Sequence, residues 1–169
     1  MAVTAPAAVV IGGGPAGLMA AEILLAGGMA VDLYDAMPSV GRKFLLAGKG
    51  GLNITHAEAA EKFLTRYGNR HTALEPALKH FGAAQLREWV HGLGVETFVG
   101  TSQRVFPKEM KAAPLLRAWL HRLRTAGLRI HARHRWTGWN DDGALLFSTP
   151  QGEIAVAATC TVLALGGGS

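Results

Sequence analysis

The sequence predicts an α/β fold of Rossmann-like type, a parallel sheet flanked by helices, and three stretches carry that prediction. The first is Ala8 to Ala21, in which an apolar run breaks into Gly12-Gly13-Gly14 and leaves as an Ala-rich amphipathic segment. The second is Ala30-Val31-Asp32-Leu33-Tyr34-Asp35, another apolar run closed by an acid. The third is Thr161 to Leu165, an uncharged strand pattern of the kind that is buried in a parallel sheet.

The opening reads as strand, tight turn and helix. Gly12 suits the unusual backbone angles of the turn, Gly14 leaves room for a pyrophosphate near the backbone, and Gly17 lets the helix lie close against the sheet. The helix opens through Pro15 and Ala16, and its free amides face the phosphates. Asp35, at the end of the second strand, offers a carboxylate to the ribose hydroxyls of an adenosine and repels a 2′-phosphate, so FAD or NAD is expected rather than NADP. Asp32 reads as a solvated strand position. A tight turn in an ordinary α/β protein would also contain such glycines, but here strand, helix, second strand and acid all fall where a dinucleotide site needs them.

After Asp35 a plain nucleotide domain would enter a crossover helix. Residues 36–56 instead form a second glycine-rich loop with Arg42, Lys43 and Lys49, followed by Asn53 and Thr55. Such a loop offers cations, backbone amides and neutral hydrogen-bonding groups together, which suits a cofactor with a long extended body. Three helical segments follow over 57–67, 74–81 and 83–93, with Leu78, Phe81, Leu86, Trp89, Val90 and Leu93 expected in a core. Residues 95–99 and 103–106 alternate as a hairpin closed by Pro107. Pro114 then fits the first turn of a helix running to Ala126, with Leu115, Leu116, Trp119, Leu120 and Leu123 as its buried stripe and Arg117, His121, Arg122 and Arg124 facing outward. From Leu128 to residue 157 the pattern is a strand meander, a three-stranded insertion in place of a crossover helix, before the returning strand at 160–165 and Gly166-Gly167-Gly168.

Composition bounds the rest. With 169 residues, 49% hydrophobic and 17% charged, the chain is expected to form one globular domain. No apolar run approaches the roughly 20 residues needed to cross a bilayer, and no signal-peptide pattern opens the chain, so a cytoplasmic protein without membrane contact is expected. Cys160 is the single cysteine and reads as a small core residue. His71, His80 and His91 lack partners at metal-ligand spacing, and no metal is expected. Residues 101–139 hold nine lysines and arginines against Glu109 alone. A solvated face accounts for that block better than nucleic-acid binding, since no RNA-binding motif accompanies it.

The pairing of GGGPAGLMAA with YDAMPSVGRKFLLAGKGGLNITH resembles the BaiN-like family of bacterial NAD(P)/FAD-dependent flavoproteins, and Arg104-Val105-Phe106-Pro107, Met110 to Leu116 and Val162 to Gly167 extend the resemblance over nearly the whole chain. Relatives carry Arg-Cys-Asn where this chain has Gly51-Leu52-Asn53, which marks a GGLN subgroup. The resemblance implies a FAD-binding domain of the glutathione-reductase type. It places FAD contacts at Gly12, Gly14, Gly17 and Asp35, at Arg42, Lys43, Gly50 and Asn53, and near Gly166 and the backbone of Trp136; otherwise Trp136 and Trp139 simply pack the ribbon. Arg104 becomes a candidate for an anionic substrate or nicotinamide phosphate, and His56 a candidate proton-transfer group. The expected function is the FAD-binding portion of an oxidoreductase that moves a hydride between NAD(P)H, FAD and a small substrate. A substrate domain and a second FAD segment are expected to lie outside this stretch. A nucleotide-binding module without turnover and an RNA-associated flavoprotein are the alternatives.

Overall fold

The computed structural model describes residues 7–167, so the closing Gly168 and Ser169 lie outside the described residues. The chain divides into two compact units. Described residues up to Phe44 and from Leu120 onward form the first, and Leu45–Trp119 form the second.

The first unit is built on a parallel sheet of four strands: β1 (Ala8–Ile11), β2 (Val31–Asp35), β6 (Arg129–Ala132) and β10 (Cys160–Leu163), ordered β10-β1-β2-β6. Helix α1 (Pro15–Ala26) packs on β1, β2 and β10 through Gly17, Leu18 and Ala21. Antiparallel strands β7 (Arg135–Trp139), β8 (Leu145–Thr149) and β9 (Gly152–Val156) form a separate meander. Leu145 and Phe147 of that meander join Val9, Ile11 and Tyr34 in one buried cluster, so β1 and β2 are covered on both faces. Each large apolar side chain taken fully out of water there contributes about 1.5–3 kcal/mol, which explains why the strands carry uninterrupted apolar runs.

Two sequence expectations change here. The first strand expected in the 128–157 meander is β6, which pairs in parallel with β2 (Asp32↔Arg129 through Asp35↔Ala132), so the meander begins only at Arg135. The returning strand, β10, pairs in parallel with β1 at one edge of the described sheet, where Leu163 and Leu165 are exposed. The central positions belong to β1 and β2.

The second unit holds a small antiparallel sheet, β3 (Thr55–His56), β5 (Arg104–Pro107) and β4 (Thr97–Val99), ordered β3-β5-β4. The expected hairpin is β4–β5; β3 joins its other side and had no sequence signal, being two residues long. Around this sheet run α3 (Ala60–Thr65), a 3-10 turn at Gly68–Arg70, α4 (His71–His80) and α5 (Ala83–Gly92). The core expected from these helices is thinner than their periodicity implies. Of the six apolar residues named for it, Val90 is buried and Phe81 is exposed, while α3 and α4 contribute no buried residue. Both helices are short, and Pro76 removes one amide donor from α4.

The chain passes between the units through two helices. Helix α2 (Arg42–Ala47) stands within what the sequence presents as a loop. Helix α6 (Ala112–Thr125) buries Leu115, Leu116, Trp119 and Leu123 of its expected stripe, while Leu120 stays partly exposed. Arg122 departs from the outward set: its guanidinium lies 2.7 Å from Glu22 of α1.

Candidate functional site

In the first unit, the turn after β1, the N-terminus of α1 and the end of β2 line one cavity of about 410 Å³. Three glycines shape its floor. Gly12 has φ +109°, and a Cβ there would meet the Ala164 carbonyl. A Cβ on Gly17 would run into the Gly12 carbonyl and the Ala164 side chain, so this glycine sets how closely α1 approaches the sheet. Gly14 differs from both. It has ordinary extended backbone angles, and a Cβ would meet nothing within 4 Å. Space, rather than conformation or packing, is what its missing side chain supplies.

Helix α1 starts on Gly14 with no side-chain cap and no acid in its first turn, with Pro15 and Ala16 exposed. Its first amides therefore keep their capacity to bind an anion. Asp35 stands beside this helix end, held by two backbone donors: Gly13 N donates to Oδ2 at 2.6 Å and Met37 N to Oδ1 at 2.7 Å. Each oxygen retains further acceptor capacity, so the carboxylate is fixed in direction and still able to take hydroxyls. Arg42 and Lys43 of α2, with Arg135, also line the cavity, and Asp35 is the one carboxylate lining it among the described residues. The Lys43 ammonium comes within 3.8 Å of where a Gly166 side chain would stand.

The fourth wall is the β6–β7 connection, which brings His134, Arg135 and Trp136 to the cavity. Arg133, at φ +60°, turns the chain; Arg133 N then donates to Met37 O at 3.0 Å and His134 N to Asp35 O at 2.9 Å. The segment after β2 and the connection after β6 are thus laced together by backbone bonds. His134 Nδ1 donates to Ala132 O at 2.8 Å, which orients the ring. Trp136 packs against the Val9–Phe147 cluster and meets Trp139 edge-to-face at 4.6 Å; its Nε1 is buried without a partner among the described residues.

Of the residues expected to hold FAD, Gly12, Gly14, Pro15, Ala16, Asp35, Arg42, Lys43, Trp136 and Gly166 line this cavity, while Gly17 is buried beneath it. Gly50 and Asn53 belong to the second unit, as do His56 and Arg104. Tyr34, His134, Arg135 and Leu165 line the cavity without having been singled out by the sequence. Only the pairing of β6 with β2 brings residue 134 to residue 35.

Asp32 overturns its expectation. It is 3% exposed, and it accepts from Arg129 Nε at 2.8 Å and Nη2 at 2.6 Å and from His131 Nε2 at 2.7 Å. Burial works to raise its pKa, but the hydrogen bonds from Arg129 and His131 outweigh it and hold the carboxyl below the ordinary range. Parallel pairing sets Asp32 beside Arg129 and His131 of β6, a partnership about a hundred residues distant in sequence. On the same face Tyr34 stacks between His131 at 4.4 Å and Phe147 at 4.3 Å. Burial, followed by the Asp32 charge, pushes the Tyr34 phenol up to about 12.

No helix among the described residues is long and apolar enough to cross a membrane, and no group of three or more His, Cys, Asp or Glu among them could hold a metal. The basic block is partly neutralised by acids outside it, through Lys108 with Glu96, Arg122 with Glu22 and Arg129 with Asp32.

Comparison with solved structures gives the same fold at low identity. THI4 of Thermovibrio ammonificans matches with a TM-score of 0.61 at 17% identity, over 95% of this chain and 57% of that one. A flavocytochrome c3 fumarate reductase in its open conformation matches with 0.62 at 19% identity, over 96% and 34%. The 3-ketosteroid-delta4-(5alpha)-dehydrogenase of Rhodococcus jostii RHA1, in complex with 4-androstene-3,17-dione, matches with 0.64 at 17% identity, over 96% and 47%. The chain thus spans between a third and three-fifths of these structures. No curated protein matches it significantly. The fold is α/β and Rossmann-like, a parallel sheet joined to an antiparallel meander. Residues 6–169 match the HI0933-like protein Rossmann domain, and the chain belongs to that family.

Proposed function

We propose that the cavity of the first unit binds the adenosine diphosphate half of FAD, and that this chain is the FAD-binding portion of a flavin-dependent oxidoreductase. One observation carries the reading: the empty cradle at Gly14, at the uncapped start of α1, stands beside a carboxylate already aimed by the amides of Gly13 and Met37. The residues fit the group. The α1 amides, Arg42 and Lys43 suit a diphosphate, and Asp35 suits a pair of ribose hydroxyls while rejecting a 2′-phosphate. When bound, the isoalloxazine ring supplies the hydride chemistry. This chain's part is to bind and orient the nucleotide end; hydride donation by NAD(P)H and a small-molecule substrate complete the reading and rest on the family resemblance. Cytoplasmic location belongs to the same proposal.

The test is Asp35→Ala, read by flavin absorbance after gentle purification and by titration with ADP. Loss of ribose hydrogen bonds to a charged acceptor is expected to weaken binding by at least about tenfold while the circular dichroism spectrum is kept. Undiminished flavin occupancy in the variant would remove the ribose assignment. No ADP binding by the native chain would remove the nucleotide site itself, leaving a Rossmann unit without turnover.

A further inference from the structure

A second site is built within the second unit; Asn53, which the resemblance places among the FAD contacts, also lines it, but the cavity proposed for the adenosine diphosphate does not share that residue. Antiparallel pairing of β3 with β5 sets Thr55 opposite Val105 and His56 opposite Arg104. Because side chains alternate across a strand pair, Thr55 and Val105 share one face and His56 and Arg104 the other. Thr55 and Val105 are buried. His56 and Arg104 reach a cavity of about 420 Å³, whose opposite wall is apolar and includes Phe63, Leu78 and Phe81.

Two arginines, Arg66 and Arg104, line this cavity, and one carboxylate, Glu58, stands beside it. Glu58 is nearly buried and accepts from both Arg66 nitrogens, Nε and Nη2, the latter at 3.0 Å; it also lies 3.3 Å from His56 Nδ1. The hydrogen bond from Arg66 is the main reason its carboxyl stays below the ordinary range. With its charge engaged by Arg66, Glu58 leaves nothing for the second arginine. Arg66 Nη2 sits 3.5 Å from His56 Nε2, so the imidazole is enclosed between carboxylate and guanidinium. Arg104 also lines the cavity, directly across the strand pair from that imidazole; its side chain is exposed to solvent, and no ion pair engages it among the described residues. An exposed guanidinium at the rim of an apolar wall, with no carboxylate paired to it, keeps its fork of donors available to an incoming anion.

We propose that this cavity binds a small amphipathic carboxylate, with its anionic head on Arg104 and its aromatic or aliphatic body against Phe63 and Phe81. The planar guanidinium takes a carboxylate through two parallel hydrogen bonds, and the apolar wall selects against compact, fully hydrated anions. Neither feature depends on flavin, so the site stands or falls apart from the nucleotide reading.

The experiment titrates the full chain with phenylacetate, octanoate and the neutral phenylacetamide, following heats of binding and the resonances of the His56 and Phe81 rings. Both carboxylates are expected to bind and to shift those resonances, and phenylacetamide to bind at least about tenfold more weakly. Arg104→Gln is expected to lower carboxylate affinity by about the same factor and to leave ADP titration unchanged. Arg117→Gln, an exposed arginine that does not line the cavity, serves as the control for general charge and is expected to bind as the native chain does. Equal binding of acid and amide, native-like binding by Arg104→Gln, or no ring shift with either carboxylate at millimolar concentration would overturn the proposal.

Discussion

Asp32 and Asp35 stand three residues apart on β2 and do opposite work. An odd separation on a strand sends side chains to opposite faces, so Asp32 turns under the sheet toward Arg129 and His131 while Asp35 turns to the glycine turn. Nothing local marks Asp32 for burial: the alternation that reads it as polar-out assumes one wet face, and the partners that bury it, Arg129 and His131, arrive with β6. Asp32→Asn removes the charge and keeps the shape. Because the Arg129 side chain is half-exposed and can return to water, the loss near neutral pH is expected to be modest, about 1–3 kcal/mol, measured by urea unfolding. The pH dependence has a definite sign. A carboxyl held below its ordinary value stabilises the fold above the unfolded carboxylate range and loses that contribution as pH falls through the lowered value. The native and variant curves should therefore converge in acid. Tyr34 reports the same charge from the alkaline side. Its phenol, raised to about 12 by burial and then by Asp32, favours the fold below its ordinary value near 10 and ceases to do so as pH climbs through 12. Spectroscopic titration of phenolate should find Tyr34 ionising earlier in Asp32→Asn; an unmoved titration would mean the Asp32 charge does not reach it.

At the scale of elements, legibility followed locality. β1, α1 and β2 were readable because their signals lie within a few residues: apolar run, glycine turn, small residues on one helix face, closing acid. The stripe of α6 was readable for the same reason. Helix α2 was hidden because Arg42 to Ala47 is too short to show a period and is flanked by glycines that announce a loop. The placement of β6 was hidden because Arg129 to Ala132 looks alike in a meander and in a sheet; only its partner decides. The glycine turn gives a test that separates fold from site. Gly17→Ala drives a methyl into the Gly12 carbonyl and Ala164, and overpacking of this kind is expected to cost at least about 1–3 kcal/mol. Gly14→Ala meets nothing and has backbone angles that alanine accepts, so its cost is expected to stay within about 1 kcal/mol. Its methyl nevertheless enters the space assigned to the diphosphate. Thermal melts paired with ADP titration should show the first variant losing stability and the second losing affinity at nearly native stability. A Gly14→Ala chain that binds ADP as the native one does would mean the cradle holds no phosphate.

Across the whole molecule, stability is distributed unevenly, and the two units carry its extremes. Ala8, Val9 and Val10 of β1 are wholly inaccessible to solvent, bonded to β10 on one side and β2 on the other, beneath α1 and the Leu145–Phe147 cluster. Opening their amides requires breaking the first unit's sheet. In the second unit α3, the 3-10 turn and α4 bury no residue among them, and the ion pair within α4, Lys79 with Glu75, lies at the surface, where such pairs add little. Amide protection follows the free energy of the smallest opening that frees each group. Hydrogen exchange read by mass spectrometry is therefore expected to run more than about a hundredfold slower in peptides spanning 8–11 and 31–34 than in those spanning 60–80, since near-zero local opening contrasts with near-global opening. ADP should then slow exchange at the start of α1 and across 133–136, two stretches joined by no sequence signal; the amides of Arg133 and His134 bond the carbonyls of Met37 and Asp35, and the Asp35 side chain accepts from Gly13 in the turn before α1. Uniform exchange across both units would mean that α3 and α4 open only with the whole chain. Protection by ADP confined to α1 would mean that the β6–β7 connection takes no part in holding the nucleotide.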